Sequence, residues 1–139
     1  MAKLKRFGAS IPAELVDAFD RLIAAKGYHN RSEALRDLMR DALVENEWES
    51  DTGEVVGTVT IVYNHEAREL SRRITRLQHQ AEGSVVCTTH VHLDEHNCME
   101  VVVVRGSAAE VRAIADRLIS MKGVKHGKLV CTTTGKSLV

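Results

Sequence analysis

The chain has no apolar run approaching the roughly 18–20 residues that a membrane-spanning helix needs. Its start, Met-Ala-Lys-Leu-Lys-Arg, has no apolar core of the kind found in signal peptides. A cytoplasmic setting with no membrane partner is therefore expected. A disulfide framework is lacking too. The three cysteines, Cys87, Cys98 and Cys131, are odd in number and without framework spacing, which suits a reducing compartment. Cys87 and Cys131 read as buried strand thiols. Net charge is also absent, with 19 Lys and Arg balancing 19 Asp and Glu, so total charge makes no case for a polyanionic partner.

The charge that is present is unevenly spread. Residues 1–40 carry eight lysines and arginines against five acids, whereas residues 41–54 carry six acids and no base. This break separates a basic module, residues 1–48, from a second module, residues 54–139. With 139 residues, 44% of them hydrophobic, the chain can build two small cores.

In the first module Lys5 to Ile11 alternates, with Phe7, Ala9 and Ile11 on one face and Arg6, Gly8 and Ser10 on the other, which predicts a short strand. Pro12 suits the first turn of a helix over roughly 12–26. Leu15, Val16, Phe19, Leu22 and Ile23 are its stripe, and Gly27 is its stop. Asn30 and Glu33 have capping-box character, opening a second helix with Ala34, Leu35, Leu38, Met39, Ala42 and Leu43 on its apolar side. One strand and two helices bury too little alone and leave both strand edges unpaired, so such a unit should dimerise through its strand. This βαα order, with Gly27-Tyr28-His29-Asn30-Arg31-Ser32-Glu33-Ala34 at the turn, resembles the ribbon-helix-helix DNA-binding fold. The resemblance implies an antiparallel ribbon in the major groove of double-stranded DNA. Arg6 would then fork onto guanine, Ser10 meet a base edge and Gly8 allow close approach, while the amides of Arg31 and Ser32 grip phosphate.

In the second module Val55 to Tyr63 reads as a strand, and Leu70, Ile74 and Leu77 mark a helix ending near His79. Ser107 to Glu110 is a capping box opening a helix that Gly123 ends, and Val124 to Thr132 is a last strand. Between them lies the stretch with most chemistry. Read as a strand, Val86, Thr88, His90 and His92 share one face, and Val85, Cys87, Thr89, Val91 and Leu93 share the other. Asp94 to Asn97 is turn-forming and Met99 to Val104 is a second strand, so a hairpin folds Cys98 back beside His92. His79 could complete a set of three imidazoles and a thiolate. Such nitrogen and sulfur donors suit zinc, copper and nickel alike. The whole module reads βαββαβ, making the chain an α+β protein with a ferredoxin-like second domain.

A ribbon-helix-helix module followed by a βαββαβ domain bearing His79, His90-Val91-His92 and Cys98 resembles the nickel-responsive repressor family, NikR. The resemblance implies a homotetramer, a dimer of dimers around four ACT-type domains, with one nickel ion per subunit held square-planar. The ligands are then His90, His92 and Cys98 of one chain and His79 of another. It also implies that Glu100 accepts a ligand imidazole proton, that Glu33 and Asp37 bind a second cation, and that nickel promotes binding to a palindromic operator. His29, His65, His96 and His126 match no ligand position, although His96, in the hairpin turn, is a candidate substitute. Two rival functions remain: a zinc- or copper-dependent metalloenzyme with Glu100 as general base, and an ACT-type small-molecule sensor.

Overall fold

The computed structural model describes residues 3–81 and 83–139; Met1, Ala2 and Glu82 lie outside that set. The chain divides into two compact units, Met1–Leu43 with Ser137–Val139, and Val44–Lys136. Among the described residues no helix is long and apolar enough to cross a membrane.

In the first unit, α1 (Ala13–Ala25) starts after Pro12, whose carbonyl accepts the N–H of Leu15 and of Val16. Gly27 ends it by taking the left-handed conformation at φ 85°, which is cheap only without a Cβ. Asn30 Oδ1 then accepts the Glu33 N–H at 2.9 Å and opens α2 (Arg31–Ser50). Asp20 clasps the Arg31 guanidinium at 2.7 and 2.6 Å, tying α1 to the start of α2. Little is buried here beyond Ile23 and Ala34, and Phe7, Leu15, Leu22, Leu38 and Met39 stay exposed. Residues 3–12 carry no regular structure in the single chain, where Lys5 to Ile11 was expected as a strand. A strand is held by the ladder to a neighbour, and this segment has none in one chain.

The acidic stretch from residue 41 was expected to interrupt the chain, but α2 runs through it to Ser50. Its glutamates are good helix formers. Val44 and Trp48, on those last turns, belong to the core of the second unit. Trp48 is 3% exposed, donates its indole N–H to the Thr132 carbonyl at 2.8 Å and lies 5.6 Å under the Arg112 guanidinium.

That second unit has the expected βαββαβ order: β1 (Glu54–Asn64), α3 (Arg68–Gln80), β2 (Val85–His92), β3 (Asn97–Ser107), α4 (Ala108–Ile119) and β4 (Val124–Thr133). The strands form one antiparallel sheet in the order β2-β3-β1-β4. Alternation sends Val55, Val59, Ile61 and Tyr63 of β1, and Val102 and Val104 of β3, into the core. Leu70, Ile74 and Leu77 of α3, with Val111, Ile114, Ala115 and Leu118 of α4, complete it at helical spacing. Ser107 and Glu110 form the predicted reciprocal cap.

Two details of β2 and β4 depart from simple alternation. Val85 pairs with Val104 and Cys87 with Val103, so Val86 is an extra residue, a β-bulge. It turns Val85 toward the same face as Thr88, His90 and His92, not the opposite one as strict alternation predicts. Cys87 and Cys131, expected to be buried, are exposed: both lie on the edge strands β2 and β4, and Cys87, paired with Val103, is on the opposite face from the inward Val102 and Val104.

Gly127 on β4 has no room for a side chain, since a Cβ there would lie 2.6 Å from Ile119 Cγ1 and 3.1 Å from Ile61 Cγ2. Gly127→Ala should therefore destabilise the fold by about 1–3 kcal/mol, outweighing the roughly 0.5–1 kcal/mol gained by removing glycine's freedom. Gly53→Ala, with nothing within 4 Å, should change stability little. Urea denaturation of the two variants checks this, and equal midpoints would show that Ile119 simply moves aside.

Candidate functional site

The β2–β3 hairpin brings most of the metal-ligand candidates to one face. Its register sets His92 opposite Cys98, His90 opposite Glu100 and Thr88 opposite Val102. On β1, Tyr63 is the next partner of Cys98, so His92, Cys98 and Tyr63 form a row across three strands. The His90 and His92 rings lie 5.1 Å apart, and the Tyr63 ring lies 6.2 Å from His90. The imidazoles are exposed on the edge strand, whereas Cys98 is fully buried with its thiol donating to the Tyr63 carbonyl at 3.4 Å. Burial pushes the thiol above its usual pKa, against a smaller opposite pull from Tyr63.

Among the described residues Glu100 is the one charged side chain in this core, 7% exposed. Its Oε2 accepts the Tyr63 hydroxyl at 2.8 Å, and its Oε1 accepts Gln78 Nε2 at 3.0 Å and Thr88 Oγ1 at 3.1 Å. In one chain its donors are therefore these three and not an imidazole. Burial, and then the Glu100 hydrogen bond, raise the Tyr63 hydroxyl far above the ordinary tyrosine range.

His79 lies elsewhere. It follows Gln78 in the last turn of α3, but where Gln78 reaches inward to Glu100, His79 is exposed beside Ser71, Arg72, Thr75 and Arg76. Among the described residues no group of three or more His, Cys, Asp or Glu within the single chain converges on a metal position. The donor types nonetheless fit a borderline-soft cation, with two imidazoles side by side and a thiol directly across the ladder.

The hairpin turn is pinned by Asp94, whose carboxylate accepts the backbone N–H of His96 and of Asn97 at 2.8 and 2.7 Å as well as the Asn97 side chain. The Asn97 contacts, then that of His96, hold its pKa down at about 2. The β1–α3 loop grips the same turn, with His65 Nε2 2.7 Å from the Glu95 carbonyl oxygen and His96 Nδ1 3.4 Å from Glu66. The His65 ring stands 5.2 Å from that of His92. Sequence reasoning set His65 aside; only the pairing of Asn64 with Asn97 brings it there. His29 and His126 are exposed and take no part in these contacts.

In the helical unit Arg6, Gly8 and Ser10 are exposed on the unpaired segment. Arg31 and Ser32 open α2, with the Arg31 side chain held by Asp20. Glu33 is exposed in the first turn. Asp37 already accepts the Tyr28 hydroxyl at 2.7 Å and Arg40 Nη1 at 2.9 Å, contacts that lower its pKa in that order.

Two family profiles match this chain: residues 5–45 match the ribbon-helix-helix proteins of the copG family, and residues 56–132 the NikR C-terminal nickel-binding domain. Among curated proteins, one named as a nickel-responsive regulator of Thermococcus onnurineus is 58% identical over 137 residues, covering 99% of each chain. One of the same name from Geobacter metallireducens is 60% identical over 138 residues, also covering 99% of each. Among solved structures, an uncharacterized protein of Thermotoga maritima shares the fold of 57% of this chain and 98% of its own, with a TM-score of 0.51 and 18% identity.

The Tyr63–Glu100 contact generates a prediction for the metal-free protein. Tyr63→Phe removes a buried donor to a carboxylate and should cost about 1–3 kcal/mol at neutral pH. Because the folded state holds the phenol neutral, this contribution is complete below the ordinary tyrosine pKa near 10 and is lost as pH rises beyond it. Denaturation midpoints from pH 7 to 11 check this: the gap between wild type and Tyr63→Phe should narrow above pH 10, and a constant gap would contradict the assignment.

Proposed function

Since the chain belongs to the nickel-responsive regulator family, with a ribbon-helix-helix domain and a NikR nickel-binding domain and no enzymatic role, we propose that it is a cytoplasmic homotetrameric repressor whose operator binding is promoted by nickel. In this reading each subunit contributes His90, His92 and Cys98 to one nickel ion, and the partner subunit's His79 completes the ligand set. The observation that carries it is the hairpin register, which pairs the Cys98 thiol with His92 on the face that also bears His90, while His79 of the same chain faces away. When bound, nickel supplies a link between subunits through soft and borderline donors that no pair of side chains here makes alone.

The protein's own groups then have distinct tasks. His90 and His92 offer neutral nitrogens from a strand whose orientation the Asp94 turn fixes. Cys98 would hold the metal as a thiolate, the form that burial otherwise opposes. Glu100 fixes Thr88 and Gln78, the residue beside His79, and accepts a ligand imidazole proton when the site fills. Glu33 and Asp37 would hold a second cation, Asp37 from a carboxylate that also accepts from Tyr28 and Arg40. Residues 1–48 supply the DNA-binding module and residues 54–139 the regulatory one, with Val44 and Trp48 at the end of α2 belonging to the regulatory core.

For DNA, strands over residues 5–11 from two chains pair into a ribbon, burying Phe7 and Ile11 and presenting Arg6, Gly8 and Ser10 to the major groove of a palindromic operator. The amides of Arg31 and Ser32 hold the phosphates on either side. With the site filled, tetramer arrangements in which two such ribbons meet their half-sites together would be favoured, a population shift driven by differential affinity.

Two experiments test this reading. Arg6→Ala should weaken operator binding by about 1–3 kcal/mol at fixed salt with nickel binding unchanged, as expected for loss of a bidentate base contact; equal affinity would remove Arg6 from the reading face. For the metal site, chains with His79→Ala are mixed with chains with Cys98→Ala and allowed to exchange subunits. Tight nickel sites should reappear, each built from one chain's Cys98 and the other's His79. No recovery after verified exchange would remove the intersubunit link.

A further inference from the structure

The outer face of the second unit holds a feature that the nickel and operator reading does not use. Between α3 and α4 lies an open cleft of about 320 Å³, lined by Arg73, Arg76 and Gln80 from α3 and by Arg117, Ser120 and Met121 at the end of α4. Arg73 and Arg76 are three apart and Gln80 four further on, so all three sit on one stripe of α3. Arg117, in the last turn of α4, reaches the same space and touches Gln80 Oε1 at 3.4 Å. Three arginines thus line one hollow.

Such a set repels itself unless something neutralises it. Among the described residues none of the three lies within ion-pair distance of a carboxylate, although Arg31, Arg40 and Arg105 each have one. The C-terminal end of α4 offers only about half a unit of negative charge, far short of three positive ones. The side chains are exposed, and Leu77 and Met121 give the hollow an apolar floor where a guanidinium stem can lie. Guanidinium forks match tetrahedral oxyanions two oxygens at a time, and Ser120 adds a hydroxyl donor.

We infer that the Arg73, Arg76 and Arg117 cleft between α3 and α4 is a binding site for a phosphate group carrying two or more negative charges. The phosphate could come from a free phosphorylated small molecule or from a nucleic-acid backbone, and the two sources are separable by experiment. Neither depends on where nickel binds, so the inference stands apart from the assignment of His79, His90, His92 and Cys98.

The test uses the full chain without added metal, titrated calorimetrically with inorganic pyrophosphate at low ionic strength. The same titration is run on an Arg73→Gln, Arg76→Gln, Arg117→Gln variant, whose circular dichroism and melting temperature report whether it is folded. Saturable binding that falls at least tenfold in the folded variant is the expected result. If the variant does not fold, the single change Arg117→Gln is used, with a smaller but measurable loss expected. A second measurement follows the salt dependence of binding to a non-operator duplex. If the slope of log K against log salt shallows by about 0.9 in the variant, one backbone phosphate occupies the cleft. An unchanged slope, with pyrophosphate binding lost, identifies a free phosphorylated ligand as the source. No pyrophosphate binding up to millimolar concentration, or equal binding by parent and variant, overturns the site.

Discussion

The second unit turns on the burial of one carboxylate. Glu100 sits on a central strand among valines, and a carboxyl group there is tolerated only if its oxygens are hydrogen-bonded. The three donors come from three different elements: Tyr63 from β1, Thr88 from β2 and Gln78 from α3. Slipping any of these elements along β3 by one residue would strand the charge as well as misplace apolar side chains, so the register is specified twice. The alternation that turns Glu100 inward also turns Cys98 inward two residues earlier, and the same pairing sets His92 across from that thiol. The metal-ligating candidates thus inherit their positions from a hydrogen-bonded core.

A second theme is how much one chain leaves open. Phe7, Leu15, Leu22, Leu38 and Met39 are exposed in the helical unit, more than a small unit with two buried apolar side chains can offset. Residues 3–12 have no ladder, and His79 faces away from the other candidate ligands. In the proposed reading these gaps are halves: half a ribbon, half an apolar interface, and a donor separated from its set. On that reading, a regulator built from such halves would be switched by whatever joins them.

The fold was largely legible in the sequence because its signals are local. The capping box at Ser107 and Glu110, the stripe of Leu70, Ile74 and Leu77, the glycine stop at Gly27 and the turn at Asp94 to Asn97 each report on a few neighbouring residues, and the structure follows them. The pairing of His92 with Cys98 was legible too, since a tight turn fixes a hairpin's register. What escaped depends on distant partners. Trp48 sits in an acidic stretch that looks like a linker, and only the Thr132 carbonyl and Arg112 explain it. His65 meets His92 because β1 lies beside β3, an adjacency that no spacing within the chain reveals. Cys87 and Cys131 were misjudged for the same reason: edge position belongs to the sheet order and not to either strand's pattern.

The bulge at Val86 bears on how this domain tolerates changes of length. Because Val86 is the one residue of β2 without a cross-strand counterpart, removing it would restore an unbroken ladder with Val85 still inward and both histidines still on their face. Loss or gain of a residue anywhere between Cys87 and His92 would instead invert one end of the strand relative to the other. Among homologous sequences, insertions and deletions within this strand should therefore be confined to that single position, so that an alignment gap there is silent while one a few residues later marks a domain whose histidines have changed sides.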